Sequence, residues 1–190
     1  MNIGTRSLLF GVHQFAIHPW FVALAWWKLY GFPWDHRLWV AFVIHDWGYW
    51  GKPNMDGPEG ELHPIWASKV MGRAFGMHWE QLCLYHSRFL AKKDGKPFSR
   101  LCVADKLAIA IQPSWMYLPM AWLSGELSEY MIGKGARTPA QDRTPIQWYR
   151  DVQRYCREWA YEHADGKCDK WTGTKRDLAR GEPPAESEVT

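Results

Sequence analysis

The chain has 190 residues and a mass of 22.2 kDa, enough for one domain with a real core and too little for two comfortable ones. Apolar residues at 47% and charged residues at 23% exclude general disorder. The net charge of +3 becomes +6 once the last ten residues, which carry Glu182, Glu186 and Glu188 and no Lys or Arg, are set aside; this is too weak for a dedicated duplex-DNA binder and adequate for a phosphate-bearing small molecule.

In chain order the punctuation is helical nearly everywhere. Leu8–Tyr30 is apolar enough to suggest a membrane span, but His13, His18, Pro19 and Lys28 interrupt it, and a buried core helix is the better reading. Pro19 suits the first turn of a helix running to about Tyr30, which Gly31 and Pro33 end. Leu38–Trp50 is an apolar run broken by His45, Asp46 and Gly48. Gly51–Glu61, with five Gly or Pro in eleven positions, is a loop. Pro64 reopens a helix toward Phe75, a further helix is expected from about His78 to Ala91, and Lys92–Pro97 is a polar turn. Ser99 reads as the N-cap of a helix through Gln112 that Pro113 stops. Shorter helical pieces follow from Ser114 to Met131, then a polar connection over Gly133–Arg143. Thr144-Pro145 starts a last long helix to about His163. No stretch alternates with period 2, no hairpin turn is flanked by β-branched runs, and there is no internal repeat. The expected fold is all-α, with one helical domain over residues 1–165 and a polar, disordered tail over 166–190.

The 14 Trp residues predict deep burial, mostly as core, and one or more ring-lined cavities. The cysteines at 83, 102, 156 and 168 include no CxxC pair, and no secretory signal precedes them. Structural disulfides and a thiolate zinc site are therefore not expected, and a reducing cytoplasm is the expected compartment.

Polar groups inside apolar helices are the informative ones, because an unpaired buried imidazole or carboxylate is costly. His18 opens HPWFVALAWWKLY, His45-Asp46 lies within VAFVIHDWGYW, His86 in QLCLYHSRFLA and Asp105 in RLCVADKLAIA; His63 follows the Gly/Pro-rich loop. A lone buried His is more often hydrogen-bonded core than ligand. The ordered set changes that balance. Each member lies near a predicted helix, and the neighbours of Asp46 and Asp105 offer no obvious counter-charge, which a cation would supply. Imidazole plus carboxylate is a ligand set for Zn, Fe, Mn or Co. His36, His78 and His163 read as surface residues at loop or helix ends.

This order of His, His-Asp, two further His and a distant Asp resembles the two-metal branch of the HD-domain superfamily of metal-dependent phosphohydrolases. The likeness runs from His18 to about Ile111. HPWFVALAW is similar to that family's first-ligand helix, VIHDWGYW to its doublet helix, and the Leu62-His63-Pro64 and VADKLA segments are familiar in such proteins. The resemblance implies an HD-like helical bundle with two divalent ions, drawn from Mn, Fe, Zn, Co or Mg. His18, His45, Asp46 and Asp105 would hold the first, and Asp46 would bridge to a second held by His63 and His86. His13 is a rival for the first ligand position, or a substrate contact. His18 is preferred because it stands ahead of Val22-Ala23-Leu24-Ala25, as the family's first ligand does.

The resemblance further implies hydrolysis of a phosphate ester of a small molecule by a metal-bridging hydroxide, with a nucleotide as the natural substrate. Asp46 would be central to that chemistry. Between residues 88 and 106 the chain carries a local +4, from which Arg88 and Lys92 are the chosen phosphate contacts; Lys52, on the loop after the doublet, is a third. That loop could act as a lid, with Glu59 or Glu61 as general acid. Trp47 and Trp50, beside the doublet, could stack a base, and so could Trp66 beside His63. Two alternatives share the ligand pattern: an HD-fold mixed-valent di-iron oxygenase acting on a small, phosphorylated or phosphonate substrate, and a non-catalytic nucleotide-binding module. The expected partner is a small phosphate compound, with no duplex nucleic acid and no membrane; a homo-oligomer stays open.

Overall fold

The computed structural model describes residues 1–132 and 144–165, and among these all regular structure is helical, as the sequence predicts. The expected connection at 133–143 and the expected tail at 166–190, with Cys168, lie outside the described residues. The helices are α1 (Ile3–Phe10), α2 (His18–Tyr30), α3 (His36–Ile44), α4 (Pro64–Phe75), α5 (Met77–Leu84), α6 (Arg88–Lys93), α7 (Arg100–Ile111), α8 (Ser114–Ser124), α9 (Glu126–Ile132) and α10 (Pro145–His163).

Helix α7 sits at the centre. It buries Leu101, Cys102, Val103, Ala104, Leu107, Ala108 and Ala110, so apolar side chains occupy every side, the mark of a helix enclosed by others. Burying each of the larger ones contributes about 1.5–3 kcal/mol. Helices α2 and α10 pack against it, and Ala23 and Ala25 on α2 and Ala160 on α10 keep those contacts close. Helix α10 turns Tyr149, Cys156, Trp159 and Ala160 inward at helical spacing. The Tyr149 hydroxyl lies within hydrogen-bond range of the Ile109 and Gln112 carbonyls, at 2.8 and 2.9 Å, and ties α10 to the end of α7. Helices α4 and α5 pack together across Gly76, whose φ of +91° few other residues would adopt. Two expected starts are observed. Ser99 accepts from the Cys102 amide, and Thr144 and Gln147 cap each other at the head of α10.

Four expectations need correction. The apolar Leu8–Tyr30 segment is not one buried helix, since turns over residues 11–17 separate α1 from α2, and α2 turns Trp20, Leu24 and Trp27 outward. The single helix expected over His78–Ala91 is two, α5 and α6, with His86 in the turn between them and Ser87 capping the second. Most Trp side chains are not core: Trp26, Trp79 and Trp159 are buried, whereas Trp20, Trp27, Trp34, Trp47, Trp50, Trp66, Trp115 and Trp122 are exposed. Short helices around one central helix leave little interior for so bulky a ring. His163 is buried, its Nδ1 donating to the Trp159 carbonyl at 2.8 Å and its ring stacked on Trp159, while His36 and His78 are exposed as expected.

Cys83, Cys102 and Cys156 are buried free thiols. Burial pushes the Cys83 thiol up to about 12 and that of Cys156 to about 11. No helix among the described residues is long and apolar enough to cross a membrane.

Candidate metal centre

The histidines of the ordered set stand at helix ends. His18 is the first residue of α2, with Pro19 filling the next position, where the missing amide proton costs nothing. Helix α3 stops at Ile44, so His45 and Asp46 lie in the turn after it and not within a doublet helix. His63 lies between a 3-10 turn at Gly60–Leu62 and α4, and His86 lies in the turn between α5 and α6. Asp105 alone is mid-helix, on α7.

Three of the rings are held alike. His45 Nδ1 donates to the Phe42 carbonyl at 3.0 Å, His63 Nδ1 to the Gly60 carbonyl at 2.7 Å, and His86 Nδ1 to the Cys83 carbonyl. A carbonyl can only accept, so each Nδ1 carries the proton. Nε2 is then the atom each ring turns inward, the one through which a neutral imidazole binds a metal. The turn bearing the doublet lies against His63 because Gly48 has no side chain. A Cβ there would run into the His63 carbonyl.

The Nε2 atoms converge on Asp46. Its Oδ2 lies 3.1 Å from His45 Nε2 and 3.4 Å from His18 Nε2, and its Oδ1 lies 3.6 Å from both His63 and His86. Asp105 Oδ1 is 3.0 Å from His18 Nε2 and 3.9 Å from His45 Nε2. His18, His45, Asp46, His63 and His86 are each at most 7% exposed. They form two groups that share Asp46, one with His18 and His45 and one with His63 and His86, and each group could hold a metal ion.

The residues fit cations by their own defects. His45 Nε2 and Asp46 Oδ2 are buried without a hydrogen-bond partner. His63 Nε2 and His86 Nε2 face each other at 2.9 Å although both rings already donate from Nδ1. Two lone pairs in that position repel, and a positive ion between them removes the conflict. Burial, and then His86, push the His63 imidazole well below its usual range, so it is neutral as a ligand must be. Burial alone would raise the carboxyls of Asp46 and Asp105, but His45 beside the first and His18 beside the second hold both well below the usual range. Burial would lower His45, yet Asp46 and Asp105 lift it to about 10, so a proton occupies in the apo protein the place a metal would take.

Of the other predicted residues, Trp47 stacks on Trp66 with ring centres 5.9 Å apart, and both are partly exposed; Trp50 is exposed. Lys52 has its backbone fastened to α1, the Gly4 amide donating to its carbonyl at 3.1 Å. The Arg88 guanidinium donates to the Tyr155 hydroxyl at 2.9 Å and lies 5.0 Å over the Trp159 ring. Lys92 is exposed in the last turn of α6. Glu59 is exposed and accepts from Asn54 at 2.7 Å. The loop around it is fastened at its middle, because Glu129 on α9 accepts from the Met55 and Asp56 amides and Met55 is buried. His13 belongs to neither ligand group, and its ring centre is 5.5 Å from that of His18.

Sequence reasoning missed three neighbours. Tyr49 stacks flat on His63 at 3.9 Å. Lys106, counted in the sequence only as part of the +4 run, lies near enough to Asp105 for the two charges to interact. Burial would lower its ammonium, and the Asp105 carboxylate more than reverses this. Its position directly after Asp105 was the available signal. Glu126, wholly buried beside His13, had none. No family model, no curated protein and no solved structure matches this chain.

Proposed function

We propose that the protein is a metal-dependent phosphohydrolase of the HD-domain type that cleaves a phosphate ester of a small molecule, with a nucleotide as the leading substrate. The observation that supports this is the division of one buried carboxylate, Asp46, between two histidine pairs, one pair on each oxygen. Two divalent ions bound there would lower the pKa of a shared water and stabilise charge on the phosphoryl oxygens. The chain's own part is to hold that geometry. The carbonyl bonds of His45, His63 and His86 fix the rings, and Asp46 sets the spacing. Lys106, the residue after Asp105, and Arg88, the first residue of α6, would supply cations for an anionic substrate. The exposed Trp47–Trp66 pair offers a flat face for a base.

The test is to deplete the protein of metal and reload it separately with Mn, Fe, Zn, Co or Mg. Nucleotides, cyclic nucleotides and sugar phosphates are then screened, reading phosphate release or ring opening. Hydrolysis with at least one metal, abolished by Asp46→Asn, is the expected result. No hydrolysis with any metal overturns the proposal, and oxygen consumption by the iron form without phosphate release would replace it with an oxygenase.

A further inference from the structure

Helices α2, α3 and α4 pack in succession, α2 on α3 and α3 on α4, and contain four cations, Lys28, Arg37, Lys69 and Arg73, and no Asp or Glu. Asp35, just before α3, is taken up by Arg37 at 2.6 Å. Lys28, Lys69 and Arg73 are exposed and make no ion pair among the described residues. A surface helix ordinarily turns polar residues to solvent. Here the outward positions are apolar at helical spacing: Trp20, Leu24 and Trp27 on α2, Val40 and Val43 on α3, and Trp66 and Val70 on α4. Aromatic rings join α2 to α3. Trp20 meets Trp39 of α3 at 5.8 Å, Trp39 meets Phe32 at 6.4 Å, and Phe32 meets Trp27 at 5.8 Å and Trp34 at 4.5 Å. Trp34, in the connection between the two helices, is 86% exposed. A contiguous apolar surface of this kind marks a contact with something else.

The chemistry of the face selects its occupant. In a two-fold contact with a second copy the patch would meet itself, and its unpaired cations would find no anion there. A nucleic-acid strand would use the cations and the rings but leave Leu24, Val40, Val43 and Val70 without a role. An anionic bilayer uses all of them. Lysine and arginine attract the headgroups, aliphatic side chains enter the acyl boundary, and indoles, apolar with one N–H, suit the zone between.

We propose that the outer face of α2, α3 and α4 docks on an anionic phospholipid bilayer. The contact is peripheral, since no helix among the described residues is long and apolar enough to cross one. It is independent of the phosphohydrolase reading and replaces the sequence-based expectation of no membrane partner. The metal centre lies at one end of the same helices, where His18 opens α2, His45 and Asp46 follow α3 and His63 precedes α4, so docking would bring it close to the lipid surface.

The metal-loaded full chain is floated with vesicles of phosphatidylcholine, alone or mixed with an equal part of phosphatidylglycerol. Binding is expected to the mixed vesicles, more weakly to the neutral ones, and should fall with added salt. Trp20→Ala with Trp27→Ala should weaken binding to the mixed vesicles by about tenfold or more. Trp115→Ala with Trp122→Ala, on α8, should leave it unchanged, although those rings are at least as exposed. Lys28→Gln with Lys69→Gln and Arg73→Gln should erase the preference for anionic lipid. All three variants should keep the wild-type metal content, because the changed side chains are exposed and none is a ligand. A wild-type protein that floats with neither vesicle overturns the proposal. So does a Trp20/Trp27 variant that binds as tightly as wild type, or a Trp115/Trp122 variant that binds as weakly as it. A protein that floats with neither vesicle but sediments as a dimer, split by Trp20→Ala with Trp27→Ala, assigns the face to a second copy instead. Phosphate release without lipid, the test of the phosphohydrolase reading, is unaffected by any of these outcomes.

Discussion

Asp46→Asn tests the centre at its narrowest point. The amide keeps the size and shape of the carboxylate but replaces one oxygen with an NH2 group that cannot ligate. Asp46 Oδ2 serves His18 and His45, at 3.4 and 3.1 Å, while Oδ1 serves His63 and His86, both at 3.6 Å. Whichever way the amide turns, one group of three loses its anionic ligand. Bound metal should fall from about two equivalents to one or fewer, with affinity reduced by at least the 10–100-fold typical of losing a mere supporting contact. A metal held at about 100 times its dissociation constant stabilises the native state by about 2.7 kcal/mol. For a domain of this size that is a melting-temperature rise of roughly 5–10 °C, most of which the variant should forfeit. The assay is elemental analysis after dialysis, together with melting curves with and without added metal. A variant that keeps two equivalents and the wild-type metal-induced shift would show that Asp46 does not bridge.

His86→Ala should remove one metal and leave the other, lowering bound metal from about two ions to one and turnover by about 10²-fold or more; full metal content with near-normal turnover would refute the second site. The metal-free protein should lose stability as pH rises: with His45 lifted from 6.5 to about 10, its contribution is complete below about pH 6.5 and gone above about pH 10. Metal affinity should rise over that same range, because binding must displace the His45 proton; metal-free melting temperatures that stay level from pH 6.5 to 10 would contradict this. Gly48→Ala should destabilise the fold by about 1–3 kcal/mol and impair metal retention, because the new Cβ meets the His63 carbonyl; unchanged melting and metal content would refute that contact.

Legibility in the sequence followed the locality of each signal. Helices α7 and α10 were readable because Ser99 and Thr144 cap within three residues and Pro113 and Pro145 punctuate nearby. The end of α3 at Ile44 was not, because no Gly or Pro stands there until Gly48 and VAFVIHDW continues an apolar pattern straight through. The split after α5 was hidden likewise, since QLCLYHSRFLA keeps helical periodicity across the break. The four histidines and Asp46 were visible because a polar residue in an apolar stretch is conspicuous whatever the local backbone does. Glu126 was invisible: SGELSEYM reads as a solvated helix start, and its burial comes from the close approach of Gly11, far away in sequence. The Trp surface was misread because composition measures how many rings there are, not how much interior the helices enclose.

The misplaced helix ends also explain why the ligands work. The last carbonyls of a helix lack intrahelical donors. His45 and His86 use such carbonyls, Phe42 on α3 and Cys83 on α5, and His63 uses Gly60 at the start of its 3-10 turn. At Phe42 the ring is the donor, while at Gly60 and Cys83 it joins the backbone amide of the same histidine; in all three the contact fixes the ring's tautomer before any ion arrives. His18 differs because its ring makes no bond to a backbone carbonyl; Asp105, on the central helix, orients it instead. The centre thus joins residues 18 to 105, and its rigidity derives from the packing of α2 and α7 and from three helix-end carbonyls, not from the loops between them. Residues that hold those helix ends, Gly48 foremost, should matter to metal binding as much as the ligands they position.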